Sequence, residues 1–306
     1  MSDSENQFVQ GQFAPGQFAQ GQLVEELNYW LSRFHLRADK RLGQHYLVDQ
    51  GILDSIIAAA ELRVDQPVVE IGAGPGVLTA ALARAGGQVL AIEFDQRLVP
   101  LLRERFNNWR NVSILASDAL RLNFAELPEL MVSNLPYQIT NPIFLRLVHP
   151  QSAVKRAVLM IQAEVAERFT APVGSAKRGQ LTVMLEATAT LKQLFRVPPE
   201  AFRPAPAVMS AVIELRRREL TTEQLNRLPA LFWLIRQAFA SRRKILLNSL
   251  MAGLALPRNV VDVILEGAEV DGQKRAEDLT VADFDRLLTE YLKYKEQHEP
   301  ADTPQP

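Results

Sequence analysis

The chain has 306 residues, 47% of them apolar and 23% charged, with a formal net charge of −1 and no cysteine. This balance fits one large or two unequal globular domains and excludes collagenous, coiled-coil and wholly disordered chains. Without cysteine there are no disulfide scaffolds, thiolate metal sites or thiol nucleophiles. His35, His45, His149 and His298 are too scattered for a local ligand motif, so no metal is expected. The start Met1-Ser2-Asp3-Ser4-Glu5 lacks the basic residues of a secretion signal, and no uncharged apolar run approaches a membrane span. A soluble, cytoplasmic protein without a membrane partner is expected.

Residues 1–36 read as a low-complexity arm and a short helix. Gly11-Gln-Phe-Ala-Pro, Gly16-Gln-Phe-Ala-Gln and Gly21-Gln-Leu-Val-Glu repeat with period five, a Gly/Gln pattern that cannot bury its own surface. Leu23, Leu27, Trp30, Leu31 and Phe34 then follow helical spacing and predict an amphipathic helix packed on the next domain.

From Val68 onward, short β-rich runs alternate with helical stretches. Strands are predicted at Val68–Ile71, Val89–Glu93, Val112–Leu115, Leu130–Ser133, Ala157–Gln162 and Val208–Leu215, with the last closing the sheet. Helices are predicted at Thr79–Ala85, Arg97–Phe106 and after Gln162 through Phe169. Such alternation predicts an α/β domain with a mostly parallel sheet covered by helices on both faces. The pattern changes past Arg216-Arg-Arg-Glu219. Residues 37–218 are taken as the α/β domain, 219–296 as a small all-helical domain and 297–306 as a loose tail.

The segment Glu70-Ile-Gly72-Ala-Gly74-Pro-Gly76 joins the first predicted strand to a helix, where glycines let backbone approach a ligand closely. Its G-x-G-x-G spacing differs from the G-x-G-x-x-G of dinucleotide folds, and it lacks the Gly-Lys-Ser/Thr ending of a phosphate loop. Glu93 ends the second strand, where an acid can accept both hydroxyls of a ribose. Asp118 follows the third and can accept an adenine amino proton; the alternative for both acids is helix capping. Glycine loop and two acids at successive strand ends suit S-adenosylmethionine.

After the fourth strand comes Ser133-Asn134-Leu135-Pro136-Tyr137. An exocyclic adenine amine is a poor nucleophile because its lone pair is delocalised into the ring. The Asn134 amide oxygen and a backbone carbonyl can hold its two N–H groups, Pro136 stiffens the turn, and Tyr137 offers a face for base stacking, typically worth ~1–3 kcal/mol. No strong base is required, because the amine can lose its proton after attack, and positioning supplies most of the rate.

On these motifs the chain resembles the ribosomal RNA adenine dimethyltransferases, in the branch that modifies small-subunit rRNA, from about Arg37 to Leu292. The resemblance also rests on Arg41-Leu-Gly-Gln-His-Tyr-Leu-Val-Asp49, Ile92-Glu-Phe-Asp95, Asp118-Ala119-Leu120, Gln162-Ala-Glu-Val-Ala-Glu-Arg168, Phe202-Arg-Pro-Ala-Pro-Ala-Val-Met-Ser-Ala-Val212 and Ser241-Arg-Arg-Lys-Ile-Leu-Leu-Asn-Ser-Leu250. It implies a Rossmann-like class I methyltransferase fold and S-adenosylmethionine held by His45, Leu47, Gly72, Gly74, Gly76, Glu93, Asp118, Ala119 and Asn134. The target adenine would lie between Tyr137 and Phe202, with Asn134 and Pro136 completing the catalytic set. The implied activity is N6-dimethylation of two neighbouring adenosines near the 3′ end of 16S rRNA, by a monomer acting on the immature 30S subunit. The sequence departs from the family pattern at His45, where asparagine is usual, at Ala163 in place of lysine, and at Arg178, whose charge is expected near RNA.

Residues 231–258 carry five basic residues, Arg236, Arg242, Arg243, Lys244 and Arg258, and no acid. They are expected to form a helical phosphate-binding stretch, which Arg216–Arg218 could extend. The net charge of −1 averages this stretch with −3 over residues 1–36, −7 over 259–306 and +4 over the remainder. Three alternatives remain open: a large-subunit rRNA methylase of the resistance type, a small-molecule or DNA adenine methyltransferase, and a non-catalytic RNA-binding assembly or transcription factor on the same fold.

Overall fold

The computed structural model describes residues 21–241 and 243–298. The repeats before Gly21, Arg242 and residues 299–306 of the expected tail lie outside them. Two compact units emerge: one comprises the chain up to Ala166 together with Leu191–Arg217, and the other Glu167–Thr190 together with the chain from Arg218.

The first unit opens with α1 (Gln22–Arg33), in which Leu23, Leu27 and Trp30 are buried as their spacing predicts. Glu26 is buried on the same face, although nothing in an amphipathic pattern anticipates it. After β1 (Tyr46–Leu47) and α2 (Gln50–Ala60) come the paired elements β2 (Pro67–Ile71) and α3 (Val77–Arg84), β3 (Gln88–Glu93) and α4 (Val99–Arg105). They are followed by β4 (Val112–Ala116), β5 (Leu130–Asn134), α5 (Thr140–Leu147) and β6 (Arg156–Gln162). β2, β5 and β6 are almost continuously buried. Parallel strands covered on both faces have that composition, which is why they stand out in the sequence.

Strands β2 to β6 pair in parallel in the order β4-β3-β2-β5-β6. β9 (Ser210–Arg217) runs antiparallel to β6, and β7 (Ala189–Val197) lies beyond it at the edge. The sheet therefore does not close on the last predicted strand: β9 is inserted between β6 and an edge strand. β7 carries Lys192, Gln193 and Arg196, and charge of this kind blunts an edge while masking the strand pattern. β8 (Phe202–Arg203) pairs with β1 in a separate two-stranded ladder. The core of this unit gathers Leu53, Ile56, Val68, Leu82, Val132, Val158, Phe202 and Val212.

α6 (Ala163–Phe169) leads into α7 (Gln180–Thr188), and α7 belongs to the second unit with α8 (Thr222–Ala238), α9 (Leu246–Leu254), α10 (Arg258–Gly267) and α11 (Val281–His298). A single boundary at 218 is thus incomplete. Val183 and Met184 of α7 pack with Leu234, Ile235, Leu250, Ile264 and Phe284, which draws residues 167–190 into the helical unit. Arg178 does not face a nucleic acid either. It is 2% exposed and donates to the carbonyls of Ala171 and Leu279 while pairing with Glu186, so its charge is spent inside this unit. Among the described residues no helix is long and apolar enough to cross a membrane.

Candidate active site

β2 and β5 lie side by side, yet the chain leaves β2 toward β3 and leaves β5 toward β6. Crossovers that diverge from adjacent parallel strands open a crevice at the strands' C-terminal ends. Here those ends are Ile71 and Asn134, so the glycine loop and Leu135-Pro136-Tyr137 emerge together. They are packed so closely that a Cβ at Gly72, whose φ is +77°, would lie 2.9 Å from Pro136 Cδ. A side chain there would displace one loop or the other.

A cavity of about 270 Å³ is lined by His45, Leu47, Gly72, Gly74, Glu93, Asp118, Ala119, Asn134, Pro136 and Tyr137. Residues spread over more than ninety positions thus meet in one place because β1, β2, β3, β4 and β5 all end there. Gly76 does not line the cavity; its backbone packs against Phe106, whose ring a Cβ would meet at 2.5 Å. Phe202 is also absent from the lining. It lies opposite Leu47 in the β1–β8 ladder, is 1% exposed and belongs to the core, so the expected pairing of Tyr137 and Phe202 around a base is not formed.

Glu93 is buried, and its neighbours are backbone N–H groups rather than cations. Gly74 N–H donates to Oε2 at 2.7 Å and Asp95 N–H donates to Oε1 at 2.7 Å. Burial raises its carboxyl above the ordinary range, opposed by these two hydrogen bonds. A carboxylate has about four acceptor sites, so each oxygen keeps one for a hydroxyl of a ligand. Asp118 does cap: its Oδ1 accepts Leu120 N–H at 2.9 Å. It also lines the cavity, so the capping and ligand readings coexist at this residue.

Asn134 sits at the end of β5 and donates through Nδ2 to the carbonyl oxygen of His45 at 3.3 Å. That contact fixes the amide so that Oδ1 is left to accept from a ligand. The Leu135 N–H donates to Met160 O at 3.1 Å, which pins the residue beside it. The His45 ring faces Pro204, with Nδ1 2.7 Å from its carbonyl oxygen. Because a carbonyl can only accept, Nδ1 is the donor in this contact. The same ring stacks on Tyr137 with centroids 5.9 Å apart and planes at 27°. Tyr137 Oη is anchored 2.7 Å from the buried Ser210 Oγ, and burial raises its pKa.

The basic stretch is not one continuous helix. Arg236 is exposed in the last turn of α8, and Arg243 and Lys244 are exposed in the turn before α9. Arg258 begins α10 and lies 3.5 Å from Asp262, which offsets part of its charge. Of Arg216–Arg218, Arg216 pairs with Glu61 and Glu214 and Arg217 donates to Ser152 O at 2.6 Å, whereas Arg218 is exposed and donates to Ala189 O at 3.3 Å.

Residues 35–293 match the family model for ribosomal RNA adenine dimethylase. The chain belongs to this family. It is 35% identical over 269 residues to the ribosomal RNA small subunit methyltransferase A of Alkaliphilus metalliredigens, covering 85% of this chain and 94% of that protein. It is 38% identical over 261 residues to the protein of the same name from Desulfitobacterium hafniense, covering 84% and 93%. Two solved structures are similar at 29% identity. A dimethyladenosine transferase from Plasmodium falciparum has a TM-score of 0.72 over 81% of this chain and 98% of its own. The 23S rRNA methyltransferase ErmE has a TM-score of 0.61 over 80% and 98%.

This ribosomal RNA adenine dimethylase places further residues at the cavity to which motif reading gave no role. Glu70 lines it, is 1% exposed and is pushed up to about 8 by burial, with Thr79 Oγ1 donating to it at 2.5 Å. Phe94, next to Glu93, lines the cavity and is 60% exposed. Gln44 ties the His45 segment to the Glu93 turn: its Nε2 donates to Asp95 Oδ2 at 2.9 Å, and its Oε1 accepts from Tyr46 Oη at 2.8 Å. Glu70 opens the glycine segment and Phe94 follows Glu93 within its motif, which is the signal that could have assigned them a place at the site.

Proposed function

We propose that this chain is an S-adenosylmethionine-dependent rRNA adenine N6-dimethyltransferase acting on 16S rRNA near its 3′ end, within the assembling small subunit. The observation that carries this reading is the meeting of Glu93, the Gly72–Gly74 backbone and Asn134-Leu-Pro-Tyr137 in one cavity. The donor set fits the cofactor: Glu93 has acceptor sites for two ribose hydroxyls, Asp118 can accept an adenine N–H, and the glycine backbone admits close approach.

When bound, S-adenosylmethionine supplies a methyl group activated by a sulfonium. The chain's own residues do the rest by position. Asn134 Oδ1 and the Leu135 carbonyl accept the two N–H groups of an adenine amine, which aims the nitrogen lone pair into the cavity. The His45 carbonyl keeps the Asn134 amide from rotating, and Pro136 is wedged against Gly72, so both acceptors are pre-placed. Such preorganisation supplies rate without a strong base. Tyr137, held by Ser210, offers the ring face not covered by His45 as a stacking platform. A loop adenosine must leave its stack to enter, which is cheapest in single-stranded RNA. Arg236, Arg243 and Lys244 are exposed cations suited to phosphate.

The test is incubation with labelled S-adenosylmethionine and either unmethylated 30S subunits or 50S particles, followed by mapping of the labelled adenosines. Two methyls on each of two adjacent 16S adenosines is the expected result. Label confined to 23S rRNA, or no transfer at all, would overturn the reading.

A further inference from the structure

Helix α1 lies N-terminal to the span matched by the family, and its Glu26 is linked to the glycine loop through Arg105. Its Glu26 is 4% exposed and accepts at Oε1 from Arg105 Nη2 at 2.7 Å. Arg105 ends α4, is 6% exposed and lies between the rings of Trp30 and Phe106, 5.9 and 5.4 Å from their centroids. Its Nη1 donates to the carbonyl oxygen of Pro75 at 2.6 Å. The next peptide N–H, on Gly76, donates to Ala73 O at 2.9 Å. Both sides of the 75–76 peptide are therefore fixed, while Ala73, Gly74 and Pro75 line the cavity.

A buried ion pair is weak evidence for stability, because an apolar pair of similar volume does as well or better. What an apolar pair cannot do is aim a donor at Pro75. Arg105 can remain charged in that place only beside an anion, and Glu26 supplies one from an element outside the shared domain.

We propose that Glu26, acting through Arg105, is a positioning residue for donor binding: it holds the glycine loop in the shape that accepts S-adenosylmethionine. The inference rests on the donor reading above. It makes α1 part of the active-site architecture and gives the segment ahead of the family domain a mechanical connection to the cofactor loop.

The test uses the full chain, with S-adenosylhomocysteine as the probe in titration calorimetry. Glu26→Gln is expected to weaken its binding on the order of tenfold, to raise KM for the donor and to leave affinity for a 16S fragment unchanged. Glu26→Asp is expected to recover part of the loss. Because Glu26→Gln strands the buried Arg105 and also Arg84, whose Nη2 lies 3.9 Å from the same oxygen, and can fail to fold, the triple variant Glu26→Met/Arg84→Met/Arg105→Met is the decisive arm. It is expected to keep a melting temperature near that of wild type and still bind the probe at least tenfold more weakly. Wild-type affinity in the triple variant would overturn the proposal. Failure of the wild-type chain itself to bind the probe would instead overturn the donor reading.

Discussion

The carbonyl oxygen of His45 accepts a hydrogen bond from Asn134 Nδ2, and the ring of the same His45 stacks on Tyr137. The residue just before the first short strand therefore steadies both Asn134 at the end of β5 and Tyr137 in the turn that follows, from about ninety positions away in the chain. Asn134→Ala removes both the contact to His45 and the acceptor for the amine. Methyl transfer is expected to fall by at least about a hundredfold, with an unchanged melting temperature because Asn134 is only half-buried at a strand end. Near-normal incorporation of labelled methyl would contradict the role given to Asn134.

Glu93 meets only backbone donors and keeps its outward acceptor sites. Hydrogen bonds to a charged group are worth about 1.5–3 kcal/mol each, so loss of both ribose contacts in Glu93→Ala should weaken S-adenosylhomocysteine binding by about two orders of magnitude or more. Calorimetry checks this directly, and an unchanged affinity would rule out the ribose contact.

Glu70 should make stability depend on pH. Its carboxyl is pushed up to about 8 in the folded chain from the ordinary 4.5, so the folded state holds its proton more tightly than the unfolded state. The resulting stabilisation is full below about pH 4.5 and is lost as pH rises toward 8. Glu70→Gln does not titrate, so its stability relative to wild type should rise across that window, by on the order of 5 kcal/mol at most. Denaturant titrations at pH 5 and pH 8.5 measure the difference; equal values at both would refute the assignment.

Arg243 and Lys244 are exposed in the turn before α9 and have the chemistry of phosphate contacts. Replacing both with alanine is expected to weaken RNA binding without changing which adenosines are modified. The slope of log affinity against log salt should fall by about 2 in magnitude. Filter binding at several salt concentrations would reveal a slope unchanged from wild type if these residues do not touch phosphate.

The parallel core of the sheet, the amphipathic α1 and the motif residues around the cavity are legible in the amino-acid sequence alone. These are local matters. Strands buried on both faces must be apolar throughout, and a loop in which a Cβ at Gly72 would lie 2.9 Å from Pro136 Cδ favours glycine there. The family resemblance followed from the same short stretches. Which face each residue turns, and which partner meets its charge, depends on folding. Phe202 belongs to a recognisable motif, yet ladder pairing with Leu47 sends it into the core. Arg178, Arg216 and Arg217 look like free cations in the sequence and are bound to carbonyls and carboxylates. α7 joined the helical unit because Val183 and Met184 pack there, a choice made by partners distant in the chain. Glu26 broke the apolar pattern of its helix, and its reason became visible only with Arg105 and Pro75 in place. Burial and pairing are properties of neighbours brought together by folding, and a near-zero net charge or a lone acid on an apolar face does not name those neighbours.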